Sequence, residues 1–95
     1  MEKLNLLVTY YAKSRDDAHK FVEELLLSGA AAAVRNEDGC IRYDYFYDAE
    51  HEDVVLLVEA WESADKQKVH MTQPHMATIK SIKEKYVNDT KLETL

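Results

Sequence analysis

An α+β fold built on one antiparallel sheet is what this sequence predicts, and three observations carry the prediction. Residues 4–11, Cys40–Tyr47 and Val54–Trp61 alternate or run apolar in the manner of strands. Between the first two of these, apolar residues recur with the period of an amphipathic helix. The second and third are joined by a short acidic link, which makes them an antiparallel hairpin. With 95 residues in all, the chain is read as one domain over 1–95.

The elements follow in order. Leu4, Leu6, Val8 and Tyr10 alternate with Asn5, Leu7, Thr9 and Tyr11, so the first strand carries apolar groups on both faces. Ser14 is placed to cap a helix, with Asp17 three residues on as a relative of the capping box. Ala18, Phe21, Val22, Leu25 and Leu26 form its apolar face. Gly29 is one end point for this helix. The helix-forming residues from Ala30 to Ala33 make Arg35 the other. Asn36-Glu37-Asp38-Gly39 is a turn, Gly39 supplying a positive φ at little cost. On the second strand Ile41, Tyr43, Tyr45 and Tyr47 share a face, opposite Arg42, Asp44 and Phe46. Ser63 caps a short helix ending near Met71 or Thr72, and Pro74 opens another. Met76, Ile79, Ile82 and Tyr86 form the apolar stripe of that last helix, with Lys80, Lys83, Glu84 and Lys85 facing out. Asn88-Asp89 reads as a turn before a fourth strand over 90–95. The order β-α-β-β-α-α-β is a ferredoxin-like plan whose second helix is broken at Pro74.

Residues 54–58 are apolar at every position, so that strand needs cover on both faces. A single helix layer covers one. A second copy of the same sheet is the simplest cover for the other, and a homodimer through the sheet faces is expected.

Composition excludes several classes of function. Twelve Lys+Arg against eighteen Asp+Glu give a net charge of −6, which argues against nucleic-acid binding. The early apolar stretch is too short for a signal peptide or a membrane span, so no membrane partner is expected. Cys40 is the single cysteine, which fits a reducing, cytoplasmic setting. The sequence has no GxGxxG, no P-loop and no Cys/His zinc spacing, so neither a nucleotide cofactor nor a bound metal is expected.

Few residues stand out as chemistry. Glu59 and Trp61 point to one side of their strand. Structurally, Glu59 is an acid at a sheet end reaching water or a basic partner; functionally, it is a polar group in a pocket. His70 and His75 flank the break at Pro74. Each is either a surface histidine or a proton-transfer group near neutral pH. Their spacing is not the i, i+4 pattern of a helical metal pair. Tyr43, Tyr45 and Tyr47 read as strand packing. Cys40 reads as a small hydrophobe rather than a nucleophile. Asp48, Glu50, Glu52 and Asp53 lack the pattern of a calcium loop.

Three segments together resemble a known family. Glu37-Asp38-Gly39-Cys40-Ile41-Arg42-Tyr43-Asp44 resembles the E-x-G-C-x-x-Y/F-D segment of the antibiotic-biosynthesis monooxygenases. Glu59-Ala60-Trp61 resembles their E-x-W strand end, and the run from His70 to Pro74-His75-Met76 their H-x-x-x-P-H-F/Y run. The resemblance extends over residues 4–86. It implies a dimeric α+β barrel with a ligand cavity between sheet and helices in each subunit. It also implies a site in which His70 is the catalytic group and Trp61, Glu59, His75 and Tyr43 contact substrate. Three branches are at issue. The quinol-type enzymes oxygenate electron-rich phenols with O₂ and no cofactor; in that frame His70 is the base, Trp61 a flat apolar wall and His75 a secondary polar contact. The branch that degrades autoinducer-2 isomerises a phosphorylated keto sugar and needs a cationic grip, for which Arg42, Lys80 and Lys83 are sources. A haem-degrading branch uses an Asn on the first strand; here Asn5 comes early, and Thr9 or Tyr10 stands in its neighbourhood. A non-catalytic small-ligand binder is the alternative of a different class.

Overall fold

The computed structural model describes residues 2–95. The chain runs β1 (Leu4–Ala12), α1 (Arg15–Leu27), α2 (Ala30–Arg35), β2 (Cys40–Tyr47), β3 (Val54–Trp61), α3 (Ala64–His70), α4 (His75–Tyr86) and β4 (Val87–Thr94). The four strands form one antiparallel sheet in the order β2-β3-β1-β4. This is the ferredoxin-like α+β fold expected. None of the helices is long and apolar enough to cross a membrane.

The helix starts lie where the capping residues put them. Ser14 Oγ accepts from Asp17 N at 3.1 Å, and Ser63 Oγ from Lys66 N at 3.3 Å. Both open end points of the first helix prove partly right. It stops at Leu27, and Gly29 takes φ +80° before α2 begins at Ala30. A left-handed residue cannot continue a helix, so the alanines form a second one at a new angle.

Two details of the strands differ from expectation. Asn88 and Asp89 are not a turn: α4 passes directly into β4. Asp89 pairs with Tyr11 and Val87 with Ala12, so Asn88 is absorbed as a bulge. On β2, Ile41 is half exposed rather than sharing the buried face of Tyr43. Cys40 faces Trp61 while Arg42 faces Ala60, so Ile41 is itself the extra residue of a bulge. Tyr47, at the strand end, is also exposed and stacks on His19 with ring centroids 4.4 Å apart.

One face of the sheet holds the core. Val8, Tyr10, Val55, Leu57 and Trp61 pack there against Ala18, Phe21, Leu25 and Val34 of α1 and α2, and against Ile79 and Ile82 of α4. The opposite face is built from Leu7, Thr9, Leu56 and Val58, aligned in register, with Tyr11 and Phe46 exposed beside them. None of these belongs to the core cluster. The apolar run of β3 thus has helical cover on one side only; on the other, Val54 and Ala60 are buried near the strand ends while Leu56 and Val58 stay partly exposed.

Candidate active site

The site is assembled around the turn before β2. Gly39, at φ +87°, lets the chain reverse tightly enough that Cys40 N donates to Glu37 O at 3.1 Å. Glu62 N donates to Gly39 O at 2.8 Å, and Lys66 pairs with Asp38, so the turn is tied to the end of β3 and to α3. Glu37 is thereby held facing the α3–α4 junction.

Two histidines meet it there. His70 Nδ1 lies 2.8 Å from Glu37 Oε2, and His75 Nε2 lies 2.7 Å from the same oxygen. A carboxylate oxygen can only accept, so both facing ring nitrogens carry protons. In an unbroken helix, residues five apart point about 140° away from each other. The break at Pro74 removes that constraint, and the two rings converge.

His70 is 2% exposed; its ring lies over Trp61, centroids 4.6 Å apart, with Tyr43 edge-on at 5.8 Å. Its second nitrogen, Nε2, pairs with no protein group. Among the described residues no fully buried side-chain polar atom lacks a partner, so Nε2 must be open to space. His70 lines a cavity of about 550 Å³ between the sheet and α3 and α4. Glu59 opens on the same cavity. Its Oε1 accepts from Trp61 Nε1 at 3.0 Å, and Oε2, which has no protein partner, keeps accessible surface. Leu6, Val8, Met76, Ile79 and Leu92 supply apolar wall.

The electrostatics sort these groups by task. Burial pushes the Glu59 carboxyl up, against the hydrogen bond from Trp61 and the nearby His70, which act the other way. Burial also raises Tyr10 and Tyr43 well above the ordinary phenol, and Tyr45 to about 12. These tyrosines therefore remain neutral hydrogen-bonding groups near pH 7, which leaves His70 and Glu59 as the cavity's candidates for proton transfer.

The family model for antibiotic biosynthesis monooxygenase matches residues 6–81. The chain belongs to this family. Solved structures share the fold along the whole chain. A Pseudomonas aeruginosa protein is 23% identical with a TM-score of 0.84, covering 100% of this chain and 93% of its own. A conserved Bacteroides thetaiotaomicron protein of unknown function is 26% identical with a TM-score of 0.84, covering 98% and 95%. A Nitrosomonas europaea protein carrying the family's description is 18% identical with a TM-score of 0.87, covering 98% and 88%. Curated proteins give no match.

Within this monooxygenase-family frame the sequence candidates separate into two groups. His70, Glu59 and Tyr43 line the cavity. Trp61, expected as a wall, is 0% exposed and lies behind His70 and Glu59, gripping one and backing the other. His75 points at Glu37 rather than into the cavity. Arg42 is spent on Asp44 at 2.9 Å, whereas Lys80 and Lys83, expected to face out, border the cavity. Asn5 is exposed on β1 and, unlike Leu6, does not line the cavity. Sequence reasoning missed Glu37. Its signal was present in the E-x-G-C turn, but nothing local says what a turn carboxylate will face.

Glu37, His70 and His75 also form the one group, among the described residues, whose donor atoms could surround a metal ion. Donors on a tetrahedral zinc stand roughly 3.4 Å apart. The contacts of 2.7 and 2.8 Å are hydrogen-bond lengths, and the proton arrangement above accounts for them.

Proposed function

We propose that this protein is a cofactor-independent monooxygenase that oxidises a small electron-rich phenol or hydroquinone with O₂. One observation carries the reading: His70 and Glu59 line the same largely apolar cavity, with Glu37 holding the His70 ring from behind. Family membership supports small-molecule monooxygenase chemistry of this kind.

The substrate supplies every electron. His70 Nε2 takes the phenolic proton, and Glu37 stabilises the imidazolium that results. The phenolate passes one electron to O₂. The phenoxyl and superoxide radicals couple at a ring carbon, forming the C–O bond, and the imidazolium returns its proton to the distal peroxide oxygen. Glu59 then removes the hydrogen on that carbon. Its electron pair forms the carbonyl as the O–O bond breaks, and the departing hydroxide takes the proton from Glu59 and leaves as water. Phenol and O₂ become quinone and water. A carboxyl lifted by burial is suited to take a proton and give it back, and the apolar wall keeps the radical pair from solvent. Tyr43 hydrogen-bonds the substrate oxygen. Trp61 and His75 act from behind, through Glu59 and Glu37.

The assay is O₂ consumption with a panel of phenols and hydroquinones. Uptake above the autoxidation background, lost in His70→Ala, is expected. Turnover of a phosphorylated keto sugar without O₂ consumption would replace this reading with the isomerase, and tight binding without turnover would replace it with a carrier. The reading includes a homodimer through the sheet face of Leu7, Leu56 and Val58, which the chain leaves without helical cover. A mass of one chain by light scattering at micromolar concentration would remove that part.

A further inference from the structure

The cavity has two chemically different ends. His75 starts α4 beside Glu37 and His70, so that end of the helix marks the proton-transfer end. Lys80 and Lys83 border the same cavity further along α4, displaced from His75 by about 8 and about 12 Å at the helical rise per residue. Neither has a carboxylate partner among the described residues, and of the lysines these two alone line this cavity. Two cations three residues apart repel, and the chain around them carries a net charge of −6. The helix dipole accounts for lysines in the last turn. It does not account for Lys80, nor for Lys83 being half buried at the cavity while Lys85 turns outward to Glu24. Two ammonium groups bordering one cavity give it a cationic edge with which an anionic group of an occupant can pair.

We infer that the occupant of this cavity is an aromatic acid, held with its hydroxyl at His70 and Glu59 and its anionic group between Lys80 and Lys83. This rests on the proposed use of the cavity as the substrate site. Leu6, Val8, Met76 and Ile79 give the body between the two ends an apolar wall that suits an aromatic ring, while Gln67, Gln73 and Thr90 on the same lining make a polyol the competing body that the probes must test. The separation of the two ends suits a two-ring skeleton better than a single ring. A carboxylate and a phosphate would be gripped alike, so the body of the ligand must be tested along with its charge.

The probes are 6-hydroxy-2-naphthoate, its methyl ester, and ribulose 5-phosphate, titrated by calorimetry against the wild type and Lys80→Gln/Lys83→Gln. Both lysines are at least partly exposed, and Gln keeps the helix. The acid should bind about tenfold more tightly than the ester, and the double variant should erase that difference while leaving the affinity for the ester unchanged. Raising the salt concentration should weaken the acid alone. Equal binding of acid and ester, or a preference that survives in the variant, overturns the anionic subsite and leaves the proposed reaction standing. Ribulose 5-phosphate binding in place of the acid overturns the aromatic body. Failure of all three probes to bind overturns the cavity as the substrate site, and the proposed function with it.

Discussion

The two halves of the layer under the sheet are built to different standards. On the α1 and α2 side, Ala18, Phe21, Leu25 and Val34 are all fully buried. Phe21 meets Tyr10 edge-on at 4.9 Å and Tyr45 at 6.4 Å, filling the centre of the contact between helix and sheet, while an open groove along its edge is lined by Val22, Leu26, Arg35 and Tyr45. On the α3 and α4 side, only His70 of α3 and Ile79 and Ile82 of α4 are buried, and a cavity of about 550 Å³ opens beside His70 and Ile79. The polar groups of the site, His70 and Glu59, stand in that looser half. A thin core in a chain of this size must be made dense somewhere. The packed half carries stability, and the hollow half is free to hold buried titratable groups around a ligand.

The largest expected effect tests the packed half. Phe21→Ala should cost about 3–5 kcal/mol, since nothing nearby can collapse into the space. Chemical denaturation would measure it. A loss below about 1 kcal/mol would mean that the two halves are packed alike.

The next test concerns the hollow half. Glu37→Gln keeps the shape but offers only one acceptor oxygen and adds an NH₂ where two ring N–H groups converge. The rate should fall about a hundredfold, the low end of what an acid–base group contributes, with KM little changed and the pH–rate profile displaced. A uniform loss with an unchanged profile would make Glu37 a structural residue only.

Glu59 gives a smaller effect that depends on pH. Its folded pKa lies above the ordinary 4.5, so between 4.5 and the raised value the folded state binds more protons than the unfolded one. Stability therefore falls as pH rises through that window. Glu59→Gln can still accept from Trp61 Nε1 and should remove this part of the decline. Melting temperatures of the two proteins should converge toward acid pH and separate, in favour of the variant, as pH rises. Parallel curves would mean that Glu59 is solvated like a surface acid.

The smallest effect lies outside both halves. Lys85→Ala breaks an exposed contact of 3.3 Å with Glu24 and should change stability by no more than about 0.5 kcal/mol.

The order of elements apart from the split of the first helix at Gly29, both serine caps and the tight turn at Gly39 were legible in the chain because each depends on residues within a few positions of one another. The family likeness was legible for a related reason: its motifs are short and ordered along the sequence. The errors lie where a local signal met a nonlocal partner. Asn88 favours a turn, but pairing with β1 draws its neighbours into a strand and leaves it as a bulge. Lys80 and Lys83 lie on the polar side of a helical wheel, yet the sheet is wide enough for that side to border the cavity.

The site was read only in part. His70, Glu59 and Tyr43 could be named from the sequence because strand alternation and the family motifs single them out. Glu37 could not. It meets His70 and His75 across 33 and 38 residues, and no periodicity spans that distance. The same break at Pro74 that disqualifies the two histidines as a helical pair is what lets both rings reach one carboxylate oxygen. Local propensity and hydrophobic period determine which elements form and which face of each is apolar. Which side chains converge, which stand behind them and where space is left are decided when α3 and α4 dock on the sheet, because that docking alone sets distances between residues far apart in the chain.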